Sequence, residues 1–295
     1  MMIPADERDP TSAAPMEAVE PDIAALVASR DLIGLGALAD ERRRRRHGNH
    51  VTFVRVQEVS ASSDGLRLLP AAGELRITGD PPTDRREATA AVERAVAVGA
   101  SIPVTAFALH ELAMLCSDDA VSLRRLLVDL REAGLAMVSE ARADLPRALE
   151  WLEVSHAADV DVARLTVGES GVDDGVALAR QIAAWGPSVA HVHAFAPLPL
   201  MDPRATTGYG DARRVALARL LVENIGSIQV DWIAYGPKLA QVALTFGADD
   251  VDRVSAVDSL EHGRRRVAIE EIRRNIEGAS LVPIQRNGLF ETVDG

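Results

Sequence analysis

Apolar positions recur along this chain in two alternating patterns. Over 206–250, Val215, Leu217, Leu220, Leu221 and Ile225 follow three- and four-residue spacing, which predicts a helix with one buried face. Ile228, Val230, Trp232 and Ile233 then form a short apolar strand, and Gly236-Pro237 breaks it and opens a second helix. The same rhythm runs upstream. Strands are predicted at 51–54, 74–80, 102–107, 135–138, 162–168 and 191–198, with helices between them, one over 88–98 and one opening at His110-Glu111. Strand, helix, strand in steady alternation predicts a parallel sheet with helices packed on it. At 295 residues the expected form is a TIM-type (β/α) barrel, its completeness left open.

Before the first strand, Pro21 opens a helix through Ile23, Leu26 and Val27. Asp31 can cap the next, whose face carries Leu32, Leu35, Leu38 and Ala39. Residues 1–20 are rich in Pro, Ala, Asp and Glu without periodicity and are read as a disordered leader. The single domain, 21–295, is then a barrel with a helical extension at its N-terminus. Arg42 to Arg46 end the second helix, where its dipole favours cations; they are read as a solvated helix end paired with acidic neighbours.

Composition narrows the function. The net charge of −12 argues against a general nucleic-acid surface. No apolar run reaches spanning length, so no membrane insertion is expected, and a single cysteine, Cys116, fits the cytoplasm. Aromatic residues make up 3% of the chain, so Ala, Val and Leu must fill the core.

Several blocks resemble a known family. W-I-x-x-G-P-K-L-A-Q-V-A-L with F-G-A-D-D after it, the lead-in D-L-I-G-L-G-A-L-A-D to V-T-F-V, W-L-E-V at 151–154 and the tail V-P-I-Q-R-N-G-L-F are similar to the aminofutalosine synthases. These are radical S-adenosylmethionine enzymes of the futalosine route to menaquinone, related to the dehypoxanthinyl futalosine cyclases and F0 synthases. The resemblance implies a four-iron cluster on a Cys-x3-Cys-x2-Cys loop after the first strand, with S-adenosylmethionine bound beside it. Residues 55–64 contain no cysteine, and Cys116 lies in a predicted helix among Leu112, Ala113, Met114 and Leu115. On the sequence, therefore, no cofactor is expected.

Two further family motifs are altered. Ser139 to Arg142 stand where a Gly-rich turn is implied, and Val167-Gly168-Glu169-Ser170 replaces Y-G-H-x-E. By resemblance, the ligand-binding candidates are Lys238 and Gln241 at a helix start, Gly79 and Asp80 ending the second strand, Gly168 and Glu169, and Thr207 and Gly208. Lys238 is the cation expected to meet a small anionic ligand. His191 and His193 share one strand face, a spacing that can serve a metal, but no third ligand is evident and none is assigned. Catalytic residues are not identifiable, and whether the chain is an enzyme is open. The first expectation is a cluster-less, non-catalytic partner or regulator of a menaquinone-pathway enzyme or of a cysteine-bearing paralogue. The alternatives are a non-radical enzyme acting on a related carboxylate or nucleoside, and a radical enzyme whose cluster is supplied in trans.

Overall fold

In the computed structural model, residues 23–63, 65–99, 101–168, 175–199, 208–257 and 269–293 are described. The leader at 1–20, Glu169, Ser170 and Thr207 lie outside them. Eight strands run parallel in chain order: β1 (His50–Ser60), β2 (Glu74–Thr78), β3 (Val104–Ala108), β4 (Met137–Arg142), β5 (Asp161–Val167), β6 (Val192–Pro199), β7 (Ser227–Asp231) and β8 (Asp250–Ser255). β8 pairs back onto β1, which closes the barrel. The described helices are α1 (Ile23–Ala28), α2 (Leu32–His47), α3 (Arg85–Val98), α4 (Leu109–Leu115), α5 (Ala120–Glu132), α6 (Ala148–Ala157), α7 (Val176–Ala184), α8 (Gly208–Leu221), α9 (Trp232–Thr245) and α10 (Ile269–Gly278).

The core lies between strands and helices. Leu123, Leu126, Leu127 and Leu130 of α5 are buried at four- and three-residue steps. Each such side chain contributes roughly 1.5–3 kcal/mol by leaving water. Asp31, as its position predicts, caps α2 by accepting the Gly34 N–H at 2.9 Å.

β1 is longer than the apolar run at 51–54 implies, because it serves two partners. Its upper half, Val56 to Ser60, pairs with β2. Its lower half, His50 to Val54, pairs with a ninth parallel strand, β9 (Val282–Arg286), formed from the tail. The chain then turns at Phe290, whose ring stacks on His193 of β6 at 4.9 Å and lies under the Arg286 guanidinium at 3.8 Å. These contacts fill the N-terminal end of the barrel.

Three local expectations are corrected. Trp232 and Ile233 begin α9 rather than ending a strand, since the Asp231 carboxylate accepts the Ala234 N–H at 2.8 Å and caps the helix. Gly236 then kinks α9 at φ 72°, a backbone region that a residue with a Cβ rarely takes. Cys116 is not mid-helix: it ends α4, where Ser117 and Asp118 take positive φ before Asp119 caps α5. Ser139 to Arg142 are strand rather than turn. Without glycines β4 continues alongside β5, with Ala141 opposite Leu165 and Arg142 opposite Thr166.

Candidate functional site at the barrel mouth

Charged residues interrupt the strands at positions that face the lumen. Some of their bonds link neighbouring strands, and those from Arg76 of β2 and Arg164 of β5 to Asp252 of β8 cross the barrel. The Asp250 carboxylate, at the start of β8, accepts two bonds from Arg286 (2.6 and 2.7 Å), one from the Gln229 amide (2.7 Å) and one from the Thr52 hydroxyl (2.5 Å). Above it Asp252 accepts two bonds from Arg76 of β2 (2.9 and 2.8 Å) and a third from Arg164 of β5. Arg76 also donates to Glu74 (2.7 Å), which accepts the Thr105 hydroxyl, and Arg164 reaches Glu140 of β4 at 3.2 Å.

Burial would raise the Asp252 carboxyl pKa, but Arg76 and then Arg164 hold it well below the usual carboxylate range. The reciprocal effect outweighs burial at Arg76 and keeps that guanidinium charged. Buried charges of this kind are tolerable only when paired and hydrogen-bonded, as these are.

At the C-terminal ends of the strands, where barrel ligands bind, a cavity of 260 Å³ opens over this layer. Glu58, Arg76, Thr78, Gly79, Asp80, Phe107, Glu111, Ser139, Glu140, Arg164 and Arg253 line it. Arg253 takes φ 57° and donates to Glu58 (2.8 and 3.2 Å) and Asp231 (3.1 Å). Phe107 takes φ 60°, and its carbonyl accepts the Ser139 hydroxyl at 2.5 Å. Such backbone costs about 1–3 kcal/mol and clusters at functional sites. Among the described residues neither Asp80 nor Glu111 meets a cation; Glu111 accepts only the Ala108 N–H at 3.2 Å. Every arginine of the mouth is held by carboxylates, so its spare charge is negative. It suits the amine or hydroxyl end of a small polar molecule.

The sequence-derived candidates divide. Gly79 and Asp80 line the mouth. Gly168 ends β5 beneath the Arg142 side chain, which occupies the space a Cβ would need and is held by Asp144 at 2.7 and 2.8 Å. Gly208 is exposed at the start of α8. Lys238 is exposed on α9 and does not line the mouth, so it is not the cation of this cavity. Gln241 donates to the Asn275 carbonyl at 3.2 Å and ties α9 to α10. His191 is buried against the His156 ring at 4.9 Å, and His193 bonds Asp161 at 2.9 Å. No three His, Cys, Asp or Glu side chains among the described residues converge as a metal site. The sequence reading passed over Arg76, Arg164, Asp252 and Arg253. Arg76 and Arg164 each interrupt an apolar strand, which in a barrel with helices outside marks a lumen-facing position, whereas Arg253 reaches the rim through its positive φ.

The closed parallel barrel with its cavity at the strand ends is a fold that solved structures share. Methylornithine synthase shares the fold at a TM-score of 0.63 over 90% of this chain and 94% of that one, with 14% identity. In sequence, residues 201–294 match the CofH/MqnC C-terminal region. The aminodeoxyfutalosine synthase of Thermus thermophilus is 33% identical over 93 residues, 30% of this chain and 25% of that enzyme. The 5-amino-6-(D-ribitylamino)uracil–L-tyrosine 4-hydroxyphenyl transferase of Archaeoglobus fulgidus is 24% identical over 233 residues, 67% of each chain. The first-ranked curated matches span about a quarter of those relatives' length. The chain is thus similar to aminodeoxyfutalosine synthase and CofH-type sequences, with the family-model match confined to 201–294, in line with the resemblance of its motifs.

That relationship corrects the expectation of no cofactor, because these relatives are radical enzymes that use a four-iron cluster and S-adenosylmethionine. The residues present do not fit three-thiolate ligation. Among the described residues at the end of β1 the donors are hydroxyls: Ser60 and Ser62 bond each other at 3.0 Å, and Ser63 accepts the Ser60 N–H at 3.1 Å. Cys116 lies at the end of α4, 3.6 Å from Arg85, its thiol pushed up by burial. No step through a cluster is derived. No helix among the described residues is long and apolar enough to cross a membrane.

Proposed function

We propose that this chain is a non-catalytic partner or regulator attached to the pathway of its aminodeoxyfutalosine synthase relative, the futalosine route to menaquinone, and that its mouth holds one small, amine- or hydroxyl-bearing metabolite. One observation carries the reading. The lumen beneath the mouth is occupied by the protein's own paired charges, Arg76, Asp252, Arg164 and Glu140. The 260 Å³ left above them falls short of the roughly 300–1,000 Å³ typical of pockets that enclose a drug-sized molecule. Among the described residues no nucleophile–base pair is assembled there. A partner role is also supported by an open 640 Å³ groove between α5 and α6, with Val121, Val128, Val154 and Ala157 on its walls. Val121 there is 59% exposed.

Co-purification from the native host tests the partner role. Recovery with a pathway enzyme is expected, lost in a Val121→Glu/Val154→Glu variant; recovery of a lone monomer contradicts it. A thermal-shift screen with S-adenosylmethionine, the enol-ether benzoate and aminofutalosine tests the mouth. A shift with one of them that Asp80→Asn/Glu111→Gln abolishes is expected, and no shift with any of the three removes the ligand from the reading.

A further inference from the structure

The arginine run of α2 lies at the far end of the barrel from the mouth, beside the C-terminal end of α8. Both helices run back along the strands and bring carbonyl ends to one place. Arg46 donates to the Glu223 carbonyl at 3.1 Å, Arg43 to that of Gly48 at 3.1 Å, and Arg219 to that of Gly247 at 2.8 Å. Carboxylates take part as well: Asp40 with Arg43 and Arg44, Glu41 with Arg45, Glu223 with Arg42, and Asp249 with Arg219. That leaves six guanidinium groups against four carboxylates.

His47 also lies against Asp249, but it adds no charge at neutral pH. Burial and then Arg219 push its imidazole down to about 4. Burial, followed by the repulsion of Arg46, Arg43 and Arg42, brings Arg219 down to about 9, so it stays protonated at neutral pH against Asp249. The two helix ends supply partial negative charge, which lessens this excess; Arg46 is the one of the six that meets no carboxylate among the described residues, donating instead to the Glu223 carbonyl.

Arg42, Arg45, Arg46 and Arg219 share one cavity of 280 Å³ with Val222 and Glu223. We propose that this cavity is a binding site for a phosphate-bearing small molecule, independent of the mouth. Its size equals the share of about nine water molecules, room for a diphosphate group. Planar guanidinium forks match phosphate oxygens two at a time. Arg219, 2% exposed, is already fixed by Asp249 and the Gly247 carbonyl, so it needs little ordering on binding. Arg45 and Arg46 are exposed and can close over an anion from the solvent side.

The test is calorimetric titration of the full chain with inorganic pyrophosphate at fixed ionic strength, set against an Arg45→Gln/Arg46→Gln variant. Both residues are exposed, so the variant should fold. Saturable binding is expected, weakened about tenfold or more in the variant, as loss of charge-assisted hydrogen bonds implies. Absence of saturable heat, or equal affinity in both proteins, overturns the site. A variant of lower Tm whose parent binds no pyrophosphate would mean that these arginines only cap helix ends, and that too overturns it.

Discussion

The C-terminal region, 201–294, and the strands that precede it divide the barrel's work. The C-terminal region carries the family match and supplies buried acids: Asp231, Asp249, Asp250 and Asp252. The motifs behind the resemblance belong to this bracing. F-G-A-D-D delivers Asp249 to Arg219 and Asp250 to Arg286, and Arg286 is itself the arginine of the V-P-x-x-R tail. The earlier strands answer with Arg76 and Arg164, and they contain the blocks that depart from the family at the mouth. A family likeness carried by bracing residues therefore reports the scaffold and not the site above it.

Breaking the braces should separate the two regions. Asp252→Asn leaves Arg76 and Arg164 buried without their shared counter-charge. We expect it to destabilise the fold by about 3–5 kcal/mol in urea unfolding. Next in size is a pH effect. His47 and His191 titrate near 4 in the folded chain, below their ordinary 6.5, in both cases chiefly because burial disfavours the charged ring. The unfolded chain binds more protons between those values, so the stabilisation is complete above pH 6.5 and is lost as pH falls toward 4. Unfolding should take up to about two protons in that window, and His191→Phe should remove one of them in denaturant curves taken across pH.

Smaller changes sharpen the contrast. Asp31→Ala, removing the α2 cap, should cost about 1 kcal/mol in the same assay. At the rim Glu58 is 30% exposed where it meets Arg253, so Glu58→Gln should cost only about 0–1 kcal/mol. Lys238→Ala should change stability and mouth binding by less than about 0.5 kcal/mol. A large loss in any ligand titration would return Lys238 to the site.

Much of the fold was legible because β/α alternation writes itself as apolar periodicity, and Asp31 marks its helix start locally, while Gly236-Pro237 marks a kink inside α9 rather than its start. The ninth strand was not, since pairing of Val282–Arg286 with β1 is a contact across the whole chain. The end of β7 was misread because Trp232 and Ile233 have strand propensity, while the cap at Asp231 decides for helix. At the site, Gly79 and Asp80 were found through resemblance. The cross-barrel partners of Asp252 could not be read from spacing, as Arg76 and Arg164 lie 176 and 88 residues from it.

The most direct test is product formation by the isolated chain, prepared anaerobically with iron, sulfide and S-adenosylmethionine and given the enol-ether benzoate. The account predicts no aminofutalosine from this chain alone, beside a cysteine-bearing relative that makes it under the same conditions. Multiple turnovers by the isolated chain, abolished by changing Arg164 or Glu140 at its own mouth, would contradict the partner or regulator role.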